Sequence, residues 1–177
     1  QKIISMKLYL DIDGVLLHPK EDKAAEHAAE LIEYITSEFD CYWLTTHCKG
    51  DSEHAVKYLS EYFQKDIVEK LTKIKPTYWE TLKTEAIDFD SNFIWLEDYP
   101  FQAEKEVLRN FAASESLYTV NLSRENELFN VLEYLKGIKA KRRKRRMVVL
   151  SIFLILILSL IVAKCVWMGV ANRSIGD

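Results

Sequence analysis

Apolar and polar positions change period repeatedly between residues 7 and 136. Lys7 to Ile12 is a short β-favouring run that closes on two acidic residues and Gly14, the profile of a strand delivering carboxylates to its carboxyl end. Ala28, Leu31, Ile32, Ile35 and Phe39 then recur at helical spacing and predict a helix over 24–39. Cys41 to Leu44 reads as a second apolar strand, closing on Thr45-Thr46. Residues 52–63 repeat the amphipathic pattern, 66–76 carry no clear period, and 77–88 again suggest a helix. Phe93 to Leu96 predicts a third strand that ends in Glu97-Asp98 and is stopped by Tyr99-Pro100. A helix over 101–113, a strand from Leu117 to Leu122 and a helix over 124–136 capped by Ser123 complete the series. Strands alternating with helices predict an α/β domain built on a doubly wound parallel sheet, whose ligands bind beyond the carboxyl ends of the strands.

The pattern changes abruptly at the end of the chain. From Met147 to Ala163 only Ser151 and Ser159 are not strongly apolar, and the apolar character resumes after Lys164 as far as Ala171. A helix of this length at ~1.5 Å per residue matches a hydrocarbon core of ~30 Å, so a single C-terminal transmembrane helix is expected over 147–171, with a short tail over 172–177. Immediately before it, residues 139–146 are basic at every position but Ala140. Such a run can be a nucleic-acid patch, a nuclear signal or a topological anchor. Beside an apolar span it predicts a tail-anchored, single-pass membrane protein with its domain, residues 1–138, in the cytosol and residues 139–146 against anionic lipid headgroups.

Charge divides the chain at the same place. The whole sequence of 177 residues has a formal charge of -3, yet residues 1–138 hold 15 Lys and Arg against 26 Asp and Glu, a net -11, leaving +8 for residues 139–177. With 5 Gly, 3 Pro and 3 Cys among them, collagen-like, disulfide-framework and wholly disordered classes are excluded. Cys41, Cys48 and Cys165 form no CxxC pair, and the grouping of His47-Cys48 with His54 and Cys41 has no standard zinc spacing. Residues 1–5, ahead of Met6, read as an extension.

Asp11-Ile12-Asp13-Gly14 places two carboxylates two residues apart where the chain leaves a strand, so both can turn toward one point through a Gly-assisted turn. Few oxygen ligands, with waters and a substrate phosphate completing the shell, suit Mg²⁺. An EF-hand loop needs its Gly at the sixth position, and here Gly14 is the fourth.

Four segments in order carry a family resemblance. Asp11-Ile12-Asp13-Gly14-Val15 after an apolar strand, Trp43-Leu44-Thr45 ending the second, Lys83 ahead of the third, and Trp95-Leu96-Glu97-Asp98 at its end resemble the four motifs of the haloacid dehalogenase (HAD) superfamily, over roughly residues 7–122. The resemblance implies a Rossmann-like HAD core and a Mg²⁺-dependent phosphohydrolase. In it Asp11 would be the nucleophile that forms an aspartyl-phosphate, and Asp13 the general acid and base. Thr45, with Thr46, and Lys83 would bind the phosphoryl group, and Asp11, Asp13 through its main-chain carbonyl, and Asp98 would hold the metal.

Two departures accompany it. Glu97 stands where an Asp often precedes the metal-binding Asp and is a further candidate ligand, and Lys73 or Lys75 could serve instead of Lys83, which lies 15 residues before Asp98. The intervals of 32 residues from Asp13 to Thr45 and 38 from Thr45 to Lys83 leave no room for a cap domain, which in this family implies an open site with a macromolecular phosphorylated substrate, a protein or nucleic-acid end, or help from a partner chain. A finer likeness is to HAD domains associated with bacterial RNA-repair proteins. Two alternatives stand beside the phosphohydrolase: a catalytically silent binding or scaffold module, and a nucleic-acid end-processing phosphatase, which the -11 charge of the domain disfavours.

Overall fold

The computed structural model describes residues 6–21 and 23–173, with side chains described as far as Ser159 apart from Leu154 and Leu158. The expected extension over 1–5 and the last residues of the expected tail, 174–177, lie outside the described residues. The chain divides into two compact units at Leu132/Glu133.

The first unit is built on four parallel strands: β1 (Lys7–Leu10), β2 (Asp40–Trp43), β3 (Phe93–Glu97) and β4 (Leu117–Thr119), in the spatial order β2-β1-β3-β4. Its helices are α1 (Ala28–Glu38), α2 (Glu53–Leu59), α3 (Lys65–Leu71) and α4 (Gln102–Asn110). The predicted α/β class and all-parallel sheet are therefore present, and the arrangement is compatible with a Rossmann-like fold. Every residue of β3 is buried, as expected of a central parallel strand that reads as one apolar run.

Alternation sends successive side chains to opposite faces of the sheet. Tyr9, Phe93 and Trp95 share one face with Leu44, Ile87 and Leu108 of α4, and Tyr42, Trp79, Ala86 and Phe89 pack against them. Leu8, Leu10, Ile94 and Leu96 point the other way, and α1, which packs on β2 and α3, buries Leu31, Ile32 and Ile35.

Several boundaries differ from the sequence expectation. Helix α1 starts at Ala28 because Leu17 and Ala24 form an antiparallel bridge and Ala25 N–H donates to Leu16 O (2.8 Å), drawing 24–25 into a small ribbon before the left-handed His27 (φ 63°). Residues 77–88 are not a helix. Lys75 pairs beside β2, and the chain must then cross β1 to reach β3; an extended residue covers about twice the distance of a helical one, so only a 3-10 turn, Lys83–Ala86, interrupts the crossing. Strand β4 ends at Thr119, three residues short of Leu122. Ser123 does not cap a helix: its N–H donates to Asn121 Oδ1 (3.0 Å), and after the left-handed Asn126 the last helix begins at Glu127.

That helix, α5 (Glu127–Arg173), opens in the first unit, and its remainder makes up the second. Among the described residues no helix is long and apolar enough to cross a membrane. This overturns the transmembrane helix expected over 147–171, and with it the tail-anchored, single-pass membrane location and the cytosolic orientation inferred from it. The same helix carries a dense basic run, residues 139–146, immediately before its apolar stretch.

Candidate active site

The strand register assembles the site. Leu10 pairs with Trp43 on one side and with Leu96 on the other, so Asp11, Thr45 and Glu97-Asp98 all emerge at the same end of the sheet. Backbone bonds fix this edge: Asp11 N–H donates to Leu96 O (3.2 Å) and Leu44 N–H to Leu10 O (2.8 Å).

Asp11, Glu97 and Asp98 each offer a carboxylate oxygen within 4.8 Å of the others. Lys83 reaches into this group, its Nζ 2.6 Å from Asp11 Oδ2 and 2.6 Å from Glu97 Oε2, while Asp11 Oδ1 accepts the Ile12 N–H (2.7 Å). Glu97 is only 3% exposed. Burial, and then the Asp11 charge beside it, push its carboxyl up to about 9. Lys83 is held above its ordinary value: burial works against its charge, but Asp11 and Glu97 outweigh it. Three converging hard oxygens of this kind could hold a small divalent cation.

Gly14 is required at the neighbouring turn. Its φ is +76°, and a Cβ there would lie 2.0 Å from Asp98 Oδ2, so Asp98 rests directly on the Gly14 backbone. Thr45 is fully buried, and its Oγ1 accepts the His47 N–H (3.4 Å), leaving the hydroxyl proton available; Thr46 is exposed.

The Asp13 side chain stands outside the group of three carboxylates. His47 Nε2 lies 2.8 Å from Asp13 Oδ2, and the His47 ring stacks on Tyr58 (4.3 Å between centroids, 7° between planes) with His54 beyond it at 5.9 Å. The sequence reasoning missed this contact, whose only signal was a His two residues beyond Thr45. It also missed Glu104 of α4, a buried carboxylate that accepts the Lys83 N–H (2.9 Å) and the Phe101 N–H (2.8 Å). Glu85 holds the other side of the turn by accepting the N–H groups of Glu80 (2.9 Å) and Leu82 (3.0 Å).

The other lysine named from the spacing with a resolved partner goes elsewhere: Lys75 Nζ pairs with Asp40 Oδ1 (2.6 Å) at the start of β2, the end of the sheet away from the carboxylates. The zinc grouping is not assembled, because the Cys41 thiol donates to Ile35 O (3.3 Å), Cys48 lies against Thr77 O, and His47 is engaged with Asp13.

No family model, curated protein or solved structure matches this chain.

Proposed function

We propose that the first unit is a Mg²⁺-dependent phosphohydrolase of the HAD type that acts through an aspartyl-phosphate on Asp11. The observation that carries this reading is Lys83 bridging Asp11 and Glu97 at 2.6 Å each, with Asp98 completing the carboxylate group. Asp11, Glu97 and Asp98 would hold the cation, with the Asp13 main-chain carbonyl as a further oxygen. A bound Mg²⁺ would offset the repulsion between these carboxylates and a dianionic phosphate.

An Asp11 carboxylate oxygen attacks phosphorus, the bond from phosphorus to the leaving oxygen breaks, and Asp13 gives that oxygen its proton. Asp13 then takes a proton from water as the water oxygen attacks phosphorus, which releases inorganic phosphate and restores the Asp11 carboxylate. Thr45 donates its hydroxyl to a phosphoryl oxygen, and Lys83 stabilises charge on both nucleophile and phosphoryl group. His47 orients Asp13 through the 2.8 Å contact.

The test is hydrolysis of p-nitrophenyl phosphate by the full chain with and without Mg²⁺. Turnover that is lost in EDTA and in Asp11→Asn, together with a hydroxylamine-labile phosphoenzyme, is the expected result. A folded, Mg²⁺-binding protein with no Asp11-dependent turnover on aryl or alkyl phosphates overturns the reading.

A further inference from the structure

A groove of about 580 Å³, within the range of small-molecule sites, touches the carboxylate group through Asp98. Gly14 and Asp98 line it, together with His18, Lys20, Asn121 and Arg124 among others. Gly14 follows Asp13, the residue that would protonate the leaving oxygen, so the groove begins where a leaving group would depart.

Its charge is unusual for this domain. Residues 1–138 carry a net -11, and many of their cations are tied to carboxylates, as Lys7 is to Asp88, Lys70 to Glu33 and Lys75 to Asp40. Lys20 and Arg124 both line the groove, are exposed, and have no ion-pair partner among the described residues. Of the two acidic residues in the lining, Glu21 pairs with Lys23 at 2.5 Å and Asp98 belongs to the carboxylate group. Two unpaired cations thus line a groove of small-molecule size, next to a site suited to a phosphomonoester. Arg presents a planar fork matched to phosphate, and Asn121 adds a neutral polar residue to the lining.

Resting on the phosphohydrolase reading, we infer that the substrate is a small organophosphate whose leaving group carries a second phosphate, which Lys20 and Arg124 bind while the first phosphate occupies the Asp11 site.

Binding tests this separately from turnover. Adenosine 3′,5′-bisphosphate and the two adenosine monophosphates are titrated calorimetrically into the full chain carrying Asp11→Asn, with Mg²⁺ present. The expected result is about tenfold tighter binding of the bisphosphate, an advantage that Lys20→Gln and Arg124→Gln each cut by about fivefold at unchanged circular dichroism. Equal affinities, or an advantage that survives both substitutions, overturn the inference whatever the wild-type chain does with p-nitrophenyl phosphate. Absence of Asp11-dependent turnover alongside a cation-dependent bisphosphate preference would remove the catalytic reading and leave the groove as a bisphosphate site.

Discussion

Gly14→Ala separates a backbone effect from a site effect. At φ +76° an L residue is disfavoured by ~1–2 kcal/mol, so the variant loses about that much stability before any contact is considered. The new Cβ would also stand 2.0 Å from Asp98 Oδ2 and 2.2 Å from Asp98 Cγ. An ordinary contact is near 3.4 Å, so the carboxylate must retreat by about 1.4 Å. Mg²⁺ accepts oxygen ligands only close to ~2.0–2.1 Å, and such a retreat removes Asp98 from its shell. Loss of outer-shell support alone costs ~10–100-fold in metal affinity, so the half-saturating Mg²⁺ concentration should rise at least tenfold. Gly50→Ala supplies the control, because Gly50 has φ +83° but its Cβ would meet only Tyr78, at 3.8 Å. In urea unfolding with EDTA present Gly14→Ala should lose more stability than Gly50→Ala, by the cost of displacing Asp98, and only Gly14→Ala should need more Mg²⁺, by calorimetry and in p-nitrophenyl phosphate hydrolysis. Wild-type Mg²⁺ dependence in Gly14→Ala would falsify the role given to Asp98.

Glu97 makes metal-free stability depend on pH: its folded value near 9 lies above the ordinary 4.5, so the folded protein holds a proton that the unfolded chain releases between them. Stability in EDTA should therefore fall as pH rises from about 4.5 to about 9, and urea unfolding of Glu97→Gln across that window should give a flatter slope; parallel slopes would count against the assignment. Glu104→Ala strips the acceptor from the Lys83 and Phe101 N–H groups and should lower the unfolding free energy by about 2–3 kcal/mol, with a loss under about 0.5 kcal/mol as the contrary outcome. His47→Ala should reduce turnover about tenfold with little change in KM, more severely for an alkyl than an aryl phosphate because a poor leaving group depends more on protonation, and His47→Gln should recover part of the loss. An equal loss for both substrates would argue that His47 does not act through Asp13.

The strands were legible because each is a short apolar run with a polar stop, and in a parallel sheet the register then determines which stops become neighbours. Once Leu10 lies between Trp43 and Leu96, residues scattered from 11 to 98 converge without any further information. Lys83 follows a different logic. Its segment has the spacing of a helix, yet its path is set by the crossing from the edge beside β2 to β3, a requirement of topology that local periodicity does not contain. The helix that failed to form over 77–88 is the same stretch that delivers the lysine, and Glu104 and Glu85 hold its 3-10 turn in place of a helical ladder.

The acidity of the first unit bears on this division between legible and illegible parts. A net charge of -11 over residues 1–138 repels phosphate at long range, so productive binding has to come from a few cations placed by the fold. Lys83 meets that need at the reacting end, where two carboxylates fix it at 2.6 Å and raise its affinity for the proton. On the proposed reading Lys20 and Arg124 meet it in the groove, and they arrive from opposite sides of the first unit's sequence, the ribbon after β1 and the turn after β4. Neither belongs to a motif, and their spacing of more than a hundred residues carries no signal. Only the ordering of β1 and β4 about β3 brings those two loops to one groove, so the proposed chemistry at phosphorus could be read from local patterns, while the proposed selection of the leaving group emerges with the folded sheet.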